Sequence, residues 1–169
     1  MNRNEYLNAV NEFMYQGEVF GEAILASYLA LETDAERRYK WATLMQLETE
    51  TKARLRPFLA RLGLSVAQDD VSDKVAGFAK AYALKSWQQH MQEIGEITDF
   101  YIAKFREIDA AAPAEEREVT HSMVVHEAAI GRFAQLELAG QADSSLEEVI
   151  AQLKYPLPAP GEAKFARAS

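Results

Sequence analysis

Residues 41–62 read WATLMQLETETKARLRPFLARL. Trp41, Leu44, Leu55, Phe58 and Leu62 recur there at steps of three, four and seven or more that return to one face of an α-helix. At 100° per residue, Glu48 and Thr51 fall in the middle of that face, while Glu50 points outward. A carboxylate among Trp and Leu is costly as a buried charge, or else takes up a proton through a raised pKa. The stretch therefore predicts a core helix and also a polar partner for Glu48 supplied by other helices.

Working outward from this helix, Gly63-Leu64 has the composition of a Schellman stop, and Pro57 is expected to kink the helix by deleting one backbone bond. Thr33-Asp34-Ala35-Glu36 reads as a capping box at its start. A first helix runs from about Asn4 to Leu31, with Leu7, Val10, Met14, Gly17, Gly21, Ile24, Tyr28 and Leu31 on its stripe. Each glycine there lowers helicity by about 1 kcal/mol relative to alanine, so its expected use is close helix approach or room for a buried group. The short link between the two helices predicts an antiparallel hairpin.

Beyond a loop at Leu64–Asp73, Val75–Leu84 reads as a short helix. Trp87, His90, Ile94, Ile97, Tyr101, Phe105 and Ile108 then mark a helix from about Ser86 to Ala111. One straight helix over residues 74–110 would be about 55 Å long, so a break is expected near Lys85-Ser86. Pro113 with Glu115 and Glu116 marks the start of a fourth helix ending at Gly140. Ser144 or Ser145 caps a short helix to about Leu153. The expected organisation is all-α: one domain over residues 1–154 and a Pro-containing tail over 155–169. The long connection between the second and third helices is the ferritin-like variant of a four-helix bundle.

Composition narrows the chemistry. The chain has 169 residues, enough for one well-buried domain, and a net charge of -8 without a Lys/Arg cluster. Neither nucleic acid nor an anionic membrane is an expected partner. No segment reaches the roughly 20 apolar residues of a membrane span, and the polar start MNRNEY carries no secretory signal, so the expected location is cytoplasmic. Cysteine is absent, which leaves carboxylate and imidazole as the only strong metal donors. No Ser-His-Asp arrangement, Gly-rich phosphate loop or HExxH motif is present.

The other helices also send polar groups inward. His90 projects well inside the third helix's apolar face with Glu93 at its edge. His126 falls among Met123, Ile130 and Phe133 on the fourth, with Glu127 near the boundary, and Glu18 lies at the margin of the first. A bundle builds a metal site from such groups. The competing reading is that they satisfy one another through hydrogen bonds, or are solvated at the edges. Glu12, Glu32, Glu36, Glu107, Glu115 and Glu116 read as surface or capping residues.

On these residues the chain resembles the di-iron carboxylate branch of the ferritin-like superfamily, which includes rubrerythrins and aldehyde-deformylating oxygenases. Leu44 to Thr51 sits like the second-helix Glu-x-x-His motif, Glu48 matching the bridging carboxylate and Thr51 standing where the family has histidine. Glu18 after Gly17 resembles the first-helix glutamate, Glu93-Ile94-Gly95-Glu96 the third-helix acids, and His126-Glu127 followed by Phe133 the fourth helix. Two fourth-helix registers stay open: Met123-x-x-His126 keeps the histidine, and Glu127-x-x-Ile130 keeps the acid.

The resemblance implies iron or manganese held by some of Glu18, Glu48, Glu93, His126 and Glu127, and chemistry with oxygen or peroxide. Thr51, His90, Tyr28 and Tyr101 are expected around the site. The alternative is a metal-free bundle that acts through association or binds a small apolar ligand. A homodimer is expected.

Overall fold

The computed structural model describes residues 1–160, and within them the chain is helical with no strand. The part of the expected tail beyond residue 160 lies outside the described residues. Helix α1 (Arg3–Ala9) passes into a π-helical segment (Val10–Tyr15) and then α2 (Gln16–Leu31). There follow α3 (Ala35–Arg61), α4 (Ser72–Tyr82), α5 (Trp87–Ala111), α6 (Arg117–Leu138), a 3-10 turn (Ala142–Ser144) and the short α7 (Glu147–Ile150). α3 folds back along α2 across a three-residue link, and α6 packs along α5. Among the described residues no helix is long and apolar enough to cross a membrane.

The helix ends follow from side-chain chemistry. Gly63 takes φ +73 and the Leu64 N–H donates to the Leu59 carbonyl at 2.9 Å, the expected Schellman stop. Ser86 and Gln89 form a capping box that starts α5 at the expected break. The α3 start differs from expectation. Asp34, not Thr33, accepts from the Arg37 N–H at 2.9 Å. Glu32 explains the change: its carboxylate accepts from the Thr33 and Asp34 amides and from the Tyr82 hydroxyl, at 2.8, 2.9 and 2.6 Å.

The fourth long helix also begins later than Pro113. Residues 113–116 form a turn, closed by the Glu116 N–H on the Pro113 carbonyl. The Glu116 side chain does not cap α6, because it accepts instead from the Arg3 guanidinium at 3.0 and 3.3 Å. Of the acids read as surface or capping residues, Glu32 and Glu116 are buried, Glu32 on the amides that lead into α3, whereas Glu12, Glu36, Glu107 and Glu115 are exposed. α3 continues through Pro57, which faces solvent together with Ala53, whose carbonyl loses its helical partner there.

The core is built in two apolar clusters. One gathers Tyr6, Met14, Val19, Leu55, Phe58, Phe105, Ile108 and Met123. The other gathers Leu25, Tyr28, Trp41, Leu44, Met91, Ile130 and Phe133. On α3 the first cluster takes residues from Leu55 onward and the second takes residues up to Leu47; on α6 Met123 belongs to the first and Ala129 onward to the second. Glu48 and Thr51 on α3, and His126 and Glu127 on α6, fall in the interval. A polar layer therefore lies between two apolar ones, at one level of the long helices.

Candidate metal centre

Three of the sequence-predicted ligands converge in this layer. Glu18, Glu48 and His126 each offer one donor atom, and the three atoms lie within 4.8 Å of one another. His126 Nε2 is 3.4 Å from Glu18 Oε1 and 3.8 Å from Glu48 Oε1. All three side chains are buried, His126 completely. Neither His126 Nε2 nor Glu18 Oε2 has a hydrogen-bond partner among the described residues. The Glu18 and Glu48 carboxyl groups thus both face one imidazole nitrogen.

The elements explain how these groups arrive. Glu18 reads as marginal on a uniform helical projection, yet it is 2% exposed. The π-helical segment just before it uses about one residue more per turn than an α-helix, so the projection loses phase across Val10–Tyr15. Glu48 is admitted by Gly21, where an added Cβ would lie 2.9 Å from the Glu48 carboxyl carbon and Oε2. Gly21 is the residue that makes room for a buried group. On the far side of the ring, Thr51 Oγ1 lies 3.2 Å from His126 Nδ1. Thr51, standing where a histidine is expected by resemblance, orients one instead.

Electrostatics follow from burial. Glu18 is held well above the ordinary carboxylate range, first by desolvation and then by the neighbouring Glu48 and Glu127 charges, with Arg54 opposing. Desolvation likewise pushes Glu48 up to about 7, and Glu127 well up with the Glu48 charge adding to it. His126 is driven down to about 3 by burial, with Arg54 contributing, so its ring is neutral at pH 7. A neutral imidazole and acids short of compensating charge suit a divalent cation, which supplies positive charge where water cannot.

Both fourth-helix registers face inward. His126 joins Glu18 and Glu48, while Glu127 lines a cavity of about 120 Å³ beside them, its neighbour Ile130 included. Phe13, Phe20, Ile24, Tyr28, Phe78, Ile94 and Tyr101 form much of the remaining wall. Glu93 is not brought to the three donors. It stands half-buried at the cavity edge, bonded to the Lys85 ammonium, because its turn of α5 lies near the Tyr82–Ser86 link that carries that lysine. His90 and Tyr28 lie together at the second apolar cluster, their rings 5.3 Å apart. Tyr101 lines the cavity where Gly17 leaves space, at 3.4 Å from the position of an added Cβ.

Sequence reading missed Arg54, whose charge reaches Glu18, and the Lys52–Glu22 ion pair beside Glu48. Lys52 lies four residues after Glu48, a spacing that signals it. Phe78 of α4 completes the cavity wall, and nothing in its local pattern marks it. Comparison of the chain with protein-family models, with curated proteins and with solved structures returned no match.

Proposed function

We propose that the chain is a ferritin-like bundle that binds a single iron or manganese ion through Glu18, Glu48 and His126, with Glu127 alongside, for chemistry linked to oxygen or peroxide. The reading rests on one observation: His126 Nε2 lies 3.4 Å from Glu18 Oε1 and 3.8 Å from Glu48 Oε1, and the buried His126 Nε2 and Glu18 Oε2 have no hydrogen-bond partner among the described residues. Leaving a buried polar atom unpaired costs about 1–3 kcal/mol, so two together are a substantial burden on a marginally stable domain. A divalent ion removes both penalties. Oxygen-rich donors with one imidazole suit iron and manganese better than copper or thiolate-seeking metals. When bound, such an ion supplies one-electron redox chemistry toward dioxygen or peroxide.

The chain's own groups have defined parts in this proposal. His126 offers Nε2 because its other nitrogen is engaged by Thr51. Glu18 and Glu48 would bind an ion as carboxylates, giving up the protons that their burial favours. The apolar wall limits water around the donors. The competing reading is a metal-free bundle that acts by association or by binding a small ligand. It has to account for the two unpaired atoms with protons alone. Elemental analysis of untagged protein, followed by anaerobic Fe(II) or Mn(II) titration, separates the two. Near one ion per chain, abolished in Glu48→Ala, supports the metal reading; no binding of either ion to folded protein, or unchanged stoichiometry in that variant, overturns it.

A further inference from the structure

His90 has a part that metal binding does not use. It is 3% exposed and belongs to the cavity wall. Its ring is fixed on three sides: stacked on Tyr82 at 4.5 Å and 26°, and packed against Tyr28 at 5.3 Å and Trp41 at 6.2 Å. His90 Nε2 lies 3.2 Å from the Tyr82 backbone oxygen. A carbonyl can only accept, so Nε2 carries the hydrogen and donates it. Burial disfavours the imidazolium. The neutral ring then has one lone pair left, on Nδ1, and this buried atom has no partner among the described residues.

We infer that the cavity takes a compact apolar or aromatic molecule bearing one hydrogen-bond donor, an O–H or N–H that His90 Nδ1 accepts. Size and lining fit this class. The volume of about 120 Å³ is close to the roughly 150 Å³ of an apolar cavity able to hold benzene. Ile24, Leu25, Phe78, Ile94 and Ile130 provide apolar contact without competing donors. His90 lies away from the donor cluster: Trp41, which packs against it, is seven residues from Glu48 along α3, about 10 Å of helix. The His90 end therefore selects the ligand independently of whether a metal is bound at the other end.

The test uses the full-length, metal-free protein with phenol and toluene, two probes of nearly equal shape that differ in one donor. Calorimetric titration is expected to show phenol binding about five- to tenfold more tightly than toluene, the worth of one hydrogen bond to a buried neutral acceptor. In His90→Phe the preference disappears while toluene still binds. Equal affinity for the two probes, no binding of either, or a preference that survives in the variant overturns the inference. Should the variant fail to fold, ¹⁵N spectroscopy of the native protein decides. The Nδ1 resonance of His90 shifts on adding phenol and not toluene; an unmoved resonance overturns the inference, and a water already donating to Nδ1 gives that result.

Discussion

The Thr51 hydroxyl on α3 lies 3.2 Å from Nδ1 of His126 on α6, 75 residues away in sequence, and it is the contact that leaves Nε2 turned toward Glu18 and Glu48. Replacing Thr51 by valine keeps the shape and removes this contact. Outer partners of metal-binding histidines typically contribute 10- to 100-fold in affinity. Thr51→Val is therefore expected to weaken Mn(II) binding by at least tenfold while leaving the helical circular dichroism unchanged. An unchanged dissociation constant would mean that the ring is held by packing alone.

Gly21 sets a second prediction. Alanine stabilises a helix interior by about 1 kcal/mol relative to glycine. Here, however, its Cβ would meet the Glu48 carboxylate at 2.9–3.1 Å, and that flexible group must move away. Gly21→Ala is expected to keep or raise the melting temperature of the metal-free protein and to reduce metal affinity at least tenfold. Gly131→Ala is the control: its Cβ approaches Thr98 Oγ1 at 3.0 Å instead, and metal affinity should hold.

Stability of the metal-free chain should depend on pH in a direction fixed by burial. Glu48 is raised in the folded state from 4.5 to about 7, so the folded protein holds that proton more tightly than the unfolded chain. Its stabilising contribution is complete below pH 4.5 and is lost as pH rises to about 7, at roughly 1.4 kcal/mol per pKa unit. His126 acts oppositely. Its folded pKa of about 3 means a contribution present above pH 6.5 and lost as pH falls toward 3. Denaturant melts of Glu48→Gln against the native chain should therefore converge near pH 4.5 and diverge by pH 7, the variant being the more stable. Equal stabilities at pH 7 would show that Glu48 is not desolvated in solution.

A fourth prediction concerns a buried ion pair outside the site. Lys40 Nζ is 2.8 Å from Glu137 Oε1, with both side chains nearly inaccessible, and Trp87 Nε1 donates to the other Glu137 oxygen at 2.8 Å. Removing one partner of such a pair strands the other charge, at a cost of about 3–5 kcal/mol. Lys40→Met should lose stability on that scale, and Lys40→Met with Glu137→Leu should recover only part of it, because Trp87 Nε1 then loses its acceptor. Urea denaturation of the single and double variants checks both.

What the sequence made legible and what it hid divide along physical lines. The inward faces of the helices were readable because α-helical periodicity is local, and Glu48, Thr51, His90 and His126 on those faces are all buried. Stops at Gly63 and Gly140, both at positive φ, were readable from glycine's freedom there. Glu18 was underestimated because a π-helical segment breaks the phase of the count, which composition does not announce. The Asp34 cap was missed because Glu32 is held by Tyr82, a contact 50 residues away in sequence. The same holds for Glu93, whose pairing with Lys85 depends on how a link between helices is folded.

Consider finally the winding of the first helix. The segment Val10–Tyr15 gives this stretch about one residue more than α-helical winding needs between the same two surfaces. Its two halves behave like gears keyed to a shaft at a fixed offset: Tyr6 and Ala9 mesh with one apolar layer, and Glu18 and Gly21 mesh with the polar layer, only at that setting. Deleting one residue there removes the surplus and leaves regular α-helical winding with Tyr6 and Glu18 still in phase, whereas deleting one within Gln16–Leu31 would slip the turns on either side by about 100°. Val10, Met14 and Tyr15 of VNEFMY are buried in the first apolar layer, so the segment tolerates substitution at the exposed Glu12 and not throughout, while its wide winding is where this helix takes up a change of one in residue count.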